Sequence, residues 1–136
     1  MSLKNYSLTE TAAMQVQTPD GENMYLDEQM EKPVMMHLYG IGSKQYQTAE
    51  RKRQDSLANK FKRYKAKTIP SEELEELRVD FLVRCVSSVE NFELDGQKGE
   101  DLYRAVFSDR SLVFITDQVD RFISDQANFT NKPLAN

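Results

Sequence analysis

The apolar positions of this chain change period near residue 43. Before that point they alternate or come in short runs. In Ala12 to Thr18, AAMQVQT, Met14 and Val16 share one face and Gln15 and Gln17 the other, the pattern of a strand. TPDG at 18–21 predicts a turn, because proline presets φ and Asp-Gly accepts the positive φ that follows. Asn23 to Leu26 offers a returning strand, and the apolar run VMMHLY at 34–39, stopped by GIG at 40–42, offers another. Two or three short strands make a marginal sheet that needs something to pack on.

From residue 43 the spacing is helical. Ser43 is the expected N-cap. Tyr46, Ala49, Leu57, Phe61 and Tyr64 fall on one side of a helix predicted over 43–66, with Arg53 interrupting the stripe. Pro70 and Ser71 break and restart the chain. Leu74, Leu77, Phe81, Cys85 and Val89 then recur at steps of 3, 4, 4 and 4, with Leu82 and Val86 beside them, which predicts a second helix over 71–90. ELDGQKGE at 93–100 reads as a loop. Residues 101–108 read as a short helix with Leu102, Val106 and either Tyr103 or Phe107 inward. Asp109 then caps a last helix over 110–126 that carries Leu112, Ile115, Val119, Phe122 and Ile123. The expected architecture is mainly α (α+β): a small N-terminal β-hairpin or sheet, a helical hairpin, and two further packed helices. A flexible leader over 1–11, one domain over 12–128 (β element 12–40, helical bundle 43–126) and a polar tail over 129–136 complete the expectation.

Charge sharpens the helical hairpin. Lys44 to Lys67 holds nine Lys and Arg against Glu50 and Asp55, a local +7 in a chain whose total is −4. Ser71 to Asp101 holds ten acids and three bases, a local −7. A short link makes antiparallel neighbours of the two helices. The basic end of the first then lies against the acidic start of the second, where both helix dipoles also favour those charges. Such pairing specifies the partner more than it stabilises.

The remaining chemistry is sparse. One cysteine, Cys85, excludes an internal disulfide, and one histidine, His37, excludes a histidine-based metal cluster. Cys85 lies on the apolar stripe and reads as a buried structural thiol. Glu72, Glu73, Glu75 and Glu76 spread around a first helical turn instead of converging on a metal, and ELDGQKGE lacks the alternate ligands of a calcium loop. Met24, Met30, Met35 and Met36 gather near the sheet, as core filler or as an adaptable surface. No catalytic constellation emerges, so the reading is a non-enzyme with no catalytic residue, no metal and no cofactor. No window is long and apolar enough for a membrane span or a secretory core, so a cytosolic protein is expected. The basic helix, with Tyr46, Phe61 and Tyr64 interleaved, has the makings of a nucleic-acid grip. The acidic total, a pI near 5.1 and the acidic neighbour argue for a solvated or partner-facing surface instead.

Three segments, in order, carry a resemblance. They are LYGIGSKQYQTAERKRQ at 38–54, LVRCVSSVENFELDGQ at 82–97 and LYRAVFSDRSLVFITDQVDRFISDQANF at 102–129. Together they resemble the tail assembly chaperones of long-tailed bacteriophages, over roughly residues 12 to 130. Order and spacing carry the likeness, since no single motif is diagnostic. The family often has a tryptophan where this chain has Val89 or Phe92. The resemblance implies a small, mainly helical viral protein that binds the tape-measure protein in the host cytoplasm. It would promote assembly of the tail tube, with the tail tube protein as a second partner, and leave before the virion is complete. It implies self-association into a homo-oligomer by analogy, and no membrane. The family defines no catalytic residues. For a partner-binding face, the exposed side of the first helix, with Arg51, Lys52, Lys62 and Lys65, is the expectation. Two other classes stay open: a structural tail or neck protein of the virion, and a small nucleic-acid-binding phage regulator that uses 43–67.

Overall fold

The computed structural model describes residues 2–65 and 67–130. The fold is mainly helical α+β, a three-stranded antiparallel sheet with four α-helices. The strands are β1 (Thr11–Gln15), β2 (Met35–Tyr39) and β3 (Val86–Glu90), in the order β1-β2-β3. The helices are α1 (Lys44–Tyr64), α2 (Ser71–Cys85), α3 (Gly99–Ser108) and α4 (Val113–Ser124). Short 3-10 turns lie at Leu3–Tyr6, Arg110–Leu112 and Gln126–Phe129.

Alternation along the strands aims one face of the sheet at the helices. Met14, Met36 and Leu38 are buried, while Ala13 and Ser88, which flank His37 across the sheet, are exposed. Leu82 and Cys85 of α2, Leu102 and Val106 of α3, and Ile115, Val119 and Ile123 of α4 complete the core. Of the expected inward residues of the last two helices, Leu102, Val106, Ile115, Val119 and Ile123 are buried. Leu112, Phe122 and Tyr103 are only half-buried, and Phe107 is the further inward residue of α3.

Helices α1 and α2 form the expected antiparallel hairpin. Tyr46 meets Phe81 edge-on at 5.5 Å, and towards the other end Lys60 meets Glu73 at 3.0 Å. Ser43 caps α1: its Oγ accepts the Tyr46 N–H at 3.1 Å and donates to the Gly40 carbonyl at 2.8 Å. Asp109 caps as well, accepting the Ser111 N–H at 2.9 Å, but what it caps is the 3-10 turn Arg110–Leu112; α4 itself starts later, at Val113, without a side-chain cap. The hairpin differs from expectation at its far side. Helix α2 ends at Cys85, and residues 86–90, expected as its last turn, are strand β3 paired with β2. Valine and serine hold a helix weakly, and β2 has an open edge to offer them. The three-residue step from Val86 to Val89 looks helical in sequence. In β3 it is absorbed by an irregularity opposite His37 and Leu38: Val86 pairs with Leu38 and Val89 with Met36, with Ser87 extra.

The expected returning strand at 23–26 is also absent. Residues 16–34 form an arm instead, knotted at its base. Val16 N–H donates to Val34 O at 2.9 Å, Met24 N–H to Val16 O at 2.9 Å, and Val34 N–H to Met24 O at 3.0 Å. Beyond that base only single bridges occur, Gln17 with Asn23 and Tyr25 with Pro33. Pro33 has no N–H for a ladder, and Asp27 captures the Lys32 N–H at 2.8 Å and the Glu31 N–H at 3.1 Å to close a loop. The turn at 18–21 forms as expected, with Gly21 at φ +87°.

Both chain ends enter the fold sooner than their polarity suggests. Thr9, within the expected leader, donates its N–H to Phe129 O at 2.7 Å, and Thr11 already belongs to β1. Phe129, the first residue of the expected tail, is 1% exposed. Residues 131–136 of that tail lie outside the described residues.

Candidate functional site

Helix α1 is 21 residues long, and Ala49 is its one buried residue. The side facing α2 consumes three of its cations. Arg53 pairs with Glu50 at 2.6 Å and lies 4.2 Å over the ring of Phe81, so the residue that broke the apolar stripe packs by cation–π contact. Lys60 at 3.0 Å and Arg63 at 3.6 Å both reach Glu73, which also accepts a hydrogen bond from Tyr64. The Tyr64 hydroxyl and the two cations hold the Glu73 carboxyl below its ordinary value, and Glu73 in turn raises that of Tyr64. The charge match read from the sequence thus converges on one acid, Glu73.

The remaining cations of this stretch, Lys44, Arg51, Lys52, Lys62, Lys65 and Lys67, are exposed, and none forms an ion pair among the described residues. Steps of 7, 11 and 3 bring Lys44, Arg51, Lys62 and Lys65 to one side of α1, opposite Ala49; Lys52 stands about 100° further round. Lys65 is at the C-cap, with φ 52°. Of the four expected partner-binding residues, Arg51 and Lys62 therefore share a solvent-facing ridge with Lys44, Lys65 follows at the helix end, and Lys52 stands away from that side. The sequence missed Phe61, expected on the buried stripe but 57% exposed beside this ridge. Its place one turn beyond Leu57, near the free end of a highly charged helix, was the available signal.

Elsewhere several polar side chains hold the fold together. Gln118 clamps the arm's base, accepting the Gln17 N–H at 2.8 Å and donating to the Gln17 carbonyl at 2.7 Å. Arg78 of α2 bonds Asp120 and Asp117 of α4, and Arg104 of α3 meets Asp80 of α2 at 2.5 Å. His37 lies on the outer face of the sheet with Nε2 2.6 Å from Oε2 of Glu90. Burial pushes the Cys85 thiol up to about 12, away from nucleophilic chemistry. Met36 is buried core, Met24 and Met35 are half-buried, and Met30 on the arm is 69% exposed. No group of three or more His, Cys, Asp or Glu is placed to hold a metal ion among the described residues. The concave surface beside α1 is an open groove of about 480 Å³ lined by Lys44, Gln45, Thr48, Arg84, Glu100 and Tyr103 among others. No described helix is long and apolar enough to cross a membrane.

Comparison with protein-family models, with curated proteins and with solved structures finds no match.

Proposed function

We propose that this protein is a bacteriophage tail assembly chaperone that binds the tape-measure protein and promotes tail tube assembly from the host cytoplasm, without being retained in the virion. One structural observation supports it beyond the resemblance: α1 spends only a narrow side on the fold. Its exposed surface keeps four cations with no ion pair among the described residues, Lys44, Arg51, Lys52 and Lys62, and an exposed Phe61. Charge on the solvent side of a surface helix is ordinary, but the exposed aromatic beside it gains nothing from solvent. A charged ridge flanked by an aromatic suits an amphipathic client helix with acidic positions, the helix-on-helix mode of recognition. Tail tube protein is a second partner in this reading.

The test is co-expression with the tape-measure protein encoded in the same phage. The client is expected to become soluble and to co-purify, and reversing Arg51, Lys52 and Lys62 to Glu weakens the complex without unfolding the chain. Arg53 is left intact because it packs on Phe81. The same ridge also suits a nucleic-acid regulator. That reading takes over if the client stays insoluble and the protein elutes with nucleic acid, its affinity falling steeply with salt. Recovery of the protein in purified particles points instead to a structural tail or neck component.

A further inference from the structure

We propose that the free edge of β3 binds an extended peptide segment of a partner protein as an added strand, with an acidic side chain in the groove of Lys44 and Arg84 and an apolar one in the groove of Phe92 and Leu102. The sheet runs β1-β2-β3, so each outer strand carries a row of backbone groups that β2 does not reach. The chain treats its two edges differently. Beside β1, Phe129 O takes the Thr9 N–H at 2.7 Å, and the Gln118 amide holds the N–H and carbonyl of Gln17 at 2.8 and 2.7 Å. No such partner serves β3. Gly40 N–H donates to Glu10 O at 2.9 Å, so by alternation Leu38 and Met36 also turn their backbone groups to β1. His37 and Met35 then turn theirs to Ser88 and Glu90 of β3. The N–H and carbonyl of Val89, between those two, point outward, and among the described residues nothing bonds them.

Two grooves along this edge select the occupant's side chains. The groove of about 480 Å³ beside α1 reaches β3 at Val86 and is lined by Lys44, Arg84 and Tyr103. Lys44 and Arg84 are exposed and form no ion pair among the described residues. Glu100, the one acid lining that groove, is 3.7 Å from Arg104. The second groove, also about 480 Å³, reaches β3 at Ser88 and Val89 and is lined by Phe92, Leu102 and the same Tyr103, with Glu93 and Lys98 balancing in charge. Val86 and Val89 pair with Leu38 and Met36, so a regular strand laid along β3 passes between the grooves in an even number of residues. The occupant is thus an extended segment with an acid in the first groove and an apolar residue two or four positions away in the second. Backbone pairing supplies its affinity and these two side chains its specificity. The receiving edge is pre-ordered: Asn91, at φ 59°, turns the chain off the line of β3, and its Nδ2 donates to Pro33 O at 2.8 Å. The inference goes beyond the client reading and uses none of Arg51, Lys52 and Lys62.

The probe is a library of random peptides about ten residues long, selected on the full chain, from which the tightest binder is synthesised. Selected sequences are expected to carry an acid and an apolar residue at even spacing, and the bound peptide to slow hydrogen exchange at the Val89 amide. The peptide is also made with alternate backbone nitrogens methylated, in two versions of opposite phase. A strand offers only every second N–H to its neighbour, so one version is expected to lose binding and the other to keep it. Arg84→Glu, at an exposed position, is expected to weaken the unmodified peptide at least about tenfold, and replacing the peptide's acid with lysine to restore its affinity for that variant. Circular dichroism checks that the variant folds; if it does not, the methylated peptides on the wild-type chain decide alone. A library without binders overturns the proposal, as do binders that lack the acid or the even spacing. So do methylated versions that behave alike, a Val89 amide left unprotected, or a folded Arg84→Glu variant that binds as before. The client takes no part in this test, so the client reading and this one can fail separately.

Discussion

Gly40 has no room for a methyl group, and replacing it with alanine tests the account of how the chain ends are tied together. A Cβ built there lies 2.6 Å from Cδ1 and Cε1 of Phe129 and 2.9 Å from its Cγ. Carbon atoms sit comfortably about 3.5 to 4 Å apart, so the ring must retreat by about 1 Å. It is badly placed to do so. Phe129 is 1% exposed, packs edge-on to Phe122 at a centroid distance of 5.7 Å, and holds the Thr9 N–H through its carbonyl at 2.7 Å. If the ring stays, the overpacking costs about 1–3 kcal/mol. If it leaves, about 1.5–3 kcal/mol of aromatic burial is lost. Either way Gly40→Ala is expected to destabilise by roughly 2 kcal/mol. Phe129→Ala removes the ring and is expected to cost about 3–5 kcal/mol. In the double variant the new methyl enters the vacated space. Its cost should match Phe129→Ala alone, a coupling of about 2 kcal/mol. Urea unfolding measures all three, read as midpoint shifts at constant slope. The reasoning fails if Gly40→Ala shifts stability by less than about 0.5 kcal/mol, or if the two single costs simply add.

Two further outcomes follow from the hairpin. Ser43→Ala deprives Tyr46 N–H of its buried partner and leaves Gly40 O with only the Ser43 N–H, and is expected to cost about 1–2 kcal/mol, with faster amide exchange at Tyr46; unchanged exchange there refutes the cap. Glu73 has a folded-state pKa below its ordinary 4.5, so its contribution is fully present above that value and is lost as pH falls through the folded pKa. The stability gap between wild type and Glu73→Gln should therefore be constant near neutrality and close below pH 4.5; a gap that persists in acid would show that the carboxylate charge is not its source.

Much of the fold was legible because its signals are local. Ser43 and Asp109 cap as their side chains dictate, and Ile115, Val119 and Ile123 face inward as their spacing requires. Residues 86–90 were misread because Val89, four on from Cys85, continues the helical stripe; what makes them a strand is the open edge of β2, remote in sequence. Phe61 was misread for a related reason. Helical spacing groups it with Leu57 and Tyr64, but α2 meets this part of α1 through Lys60, Arg63 and Tyr64, which leaves Phe61 exposed beside that seam. The candidate ridge was visible as a run of cations. Which cations are free was not, since that depends on Glu73 and Phe81 from α2.

The sequence by itself determined the helices, their caps and turns, the pairing of a basic helix with an acidic one, and the inert character of a lone cysteine on an apolar stripe. These rest on period, capping chemistry and charge within a few turns of chain. Only the tertiary structure decided that the chain after Cys85 is a strand, that the arm is clamped by Gln118, and that Gly40 must lack a side chain because Phe129 fills its place. Each of those depends on a contact between residues far apart in sequence, and no local pattern encodes which distant surface will arrive.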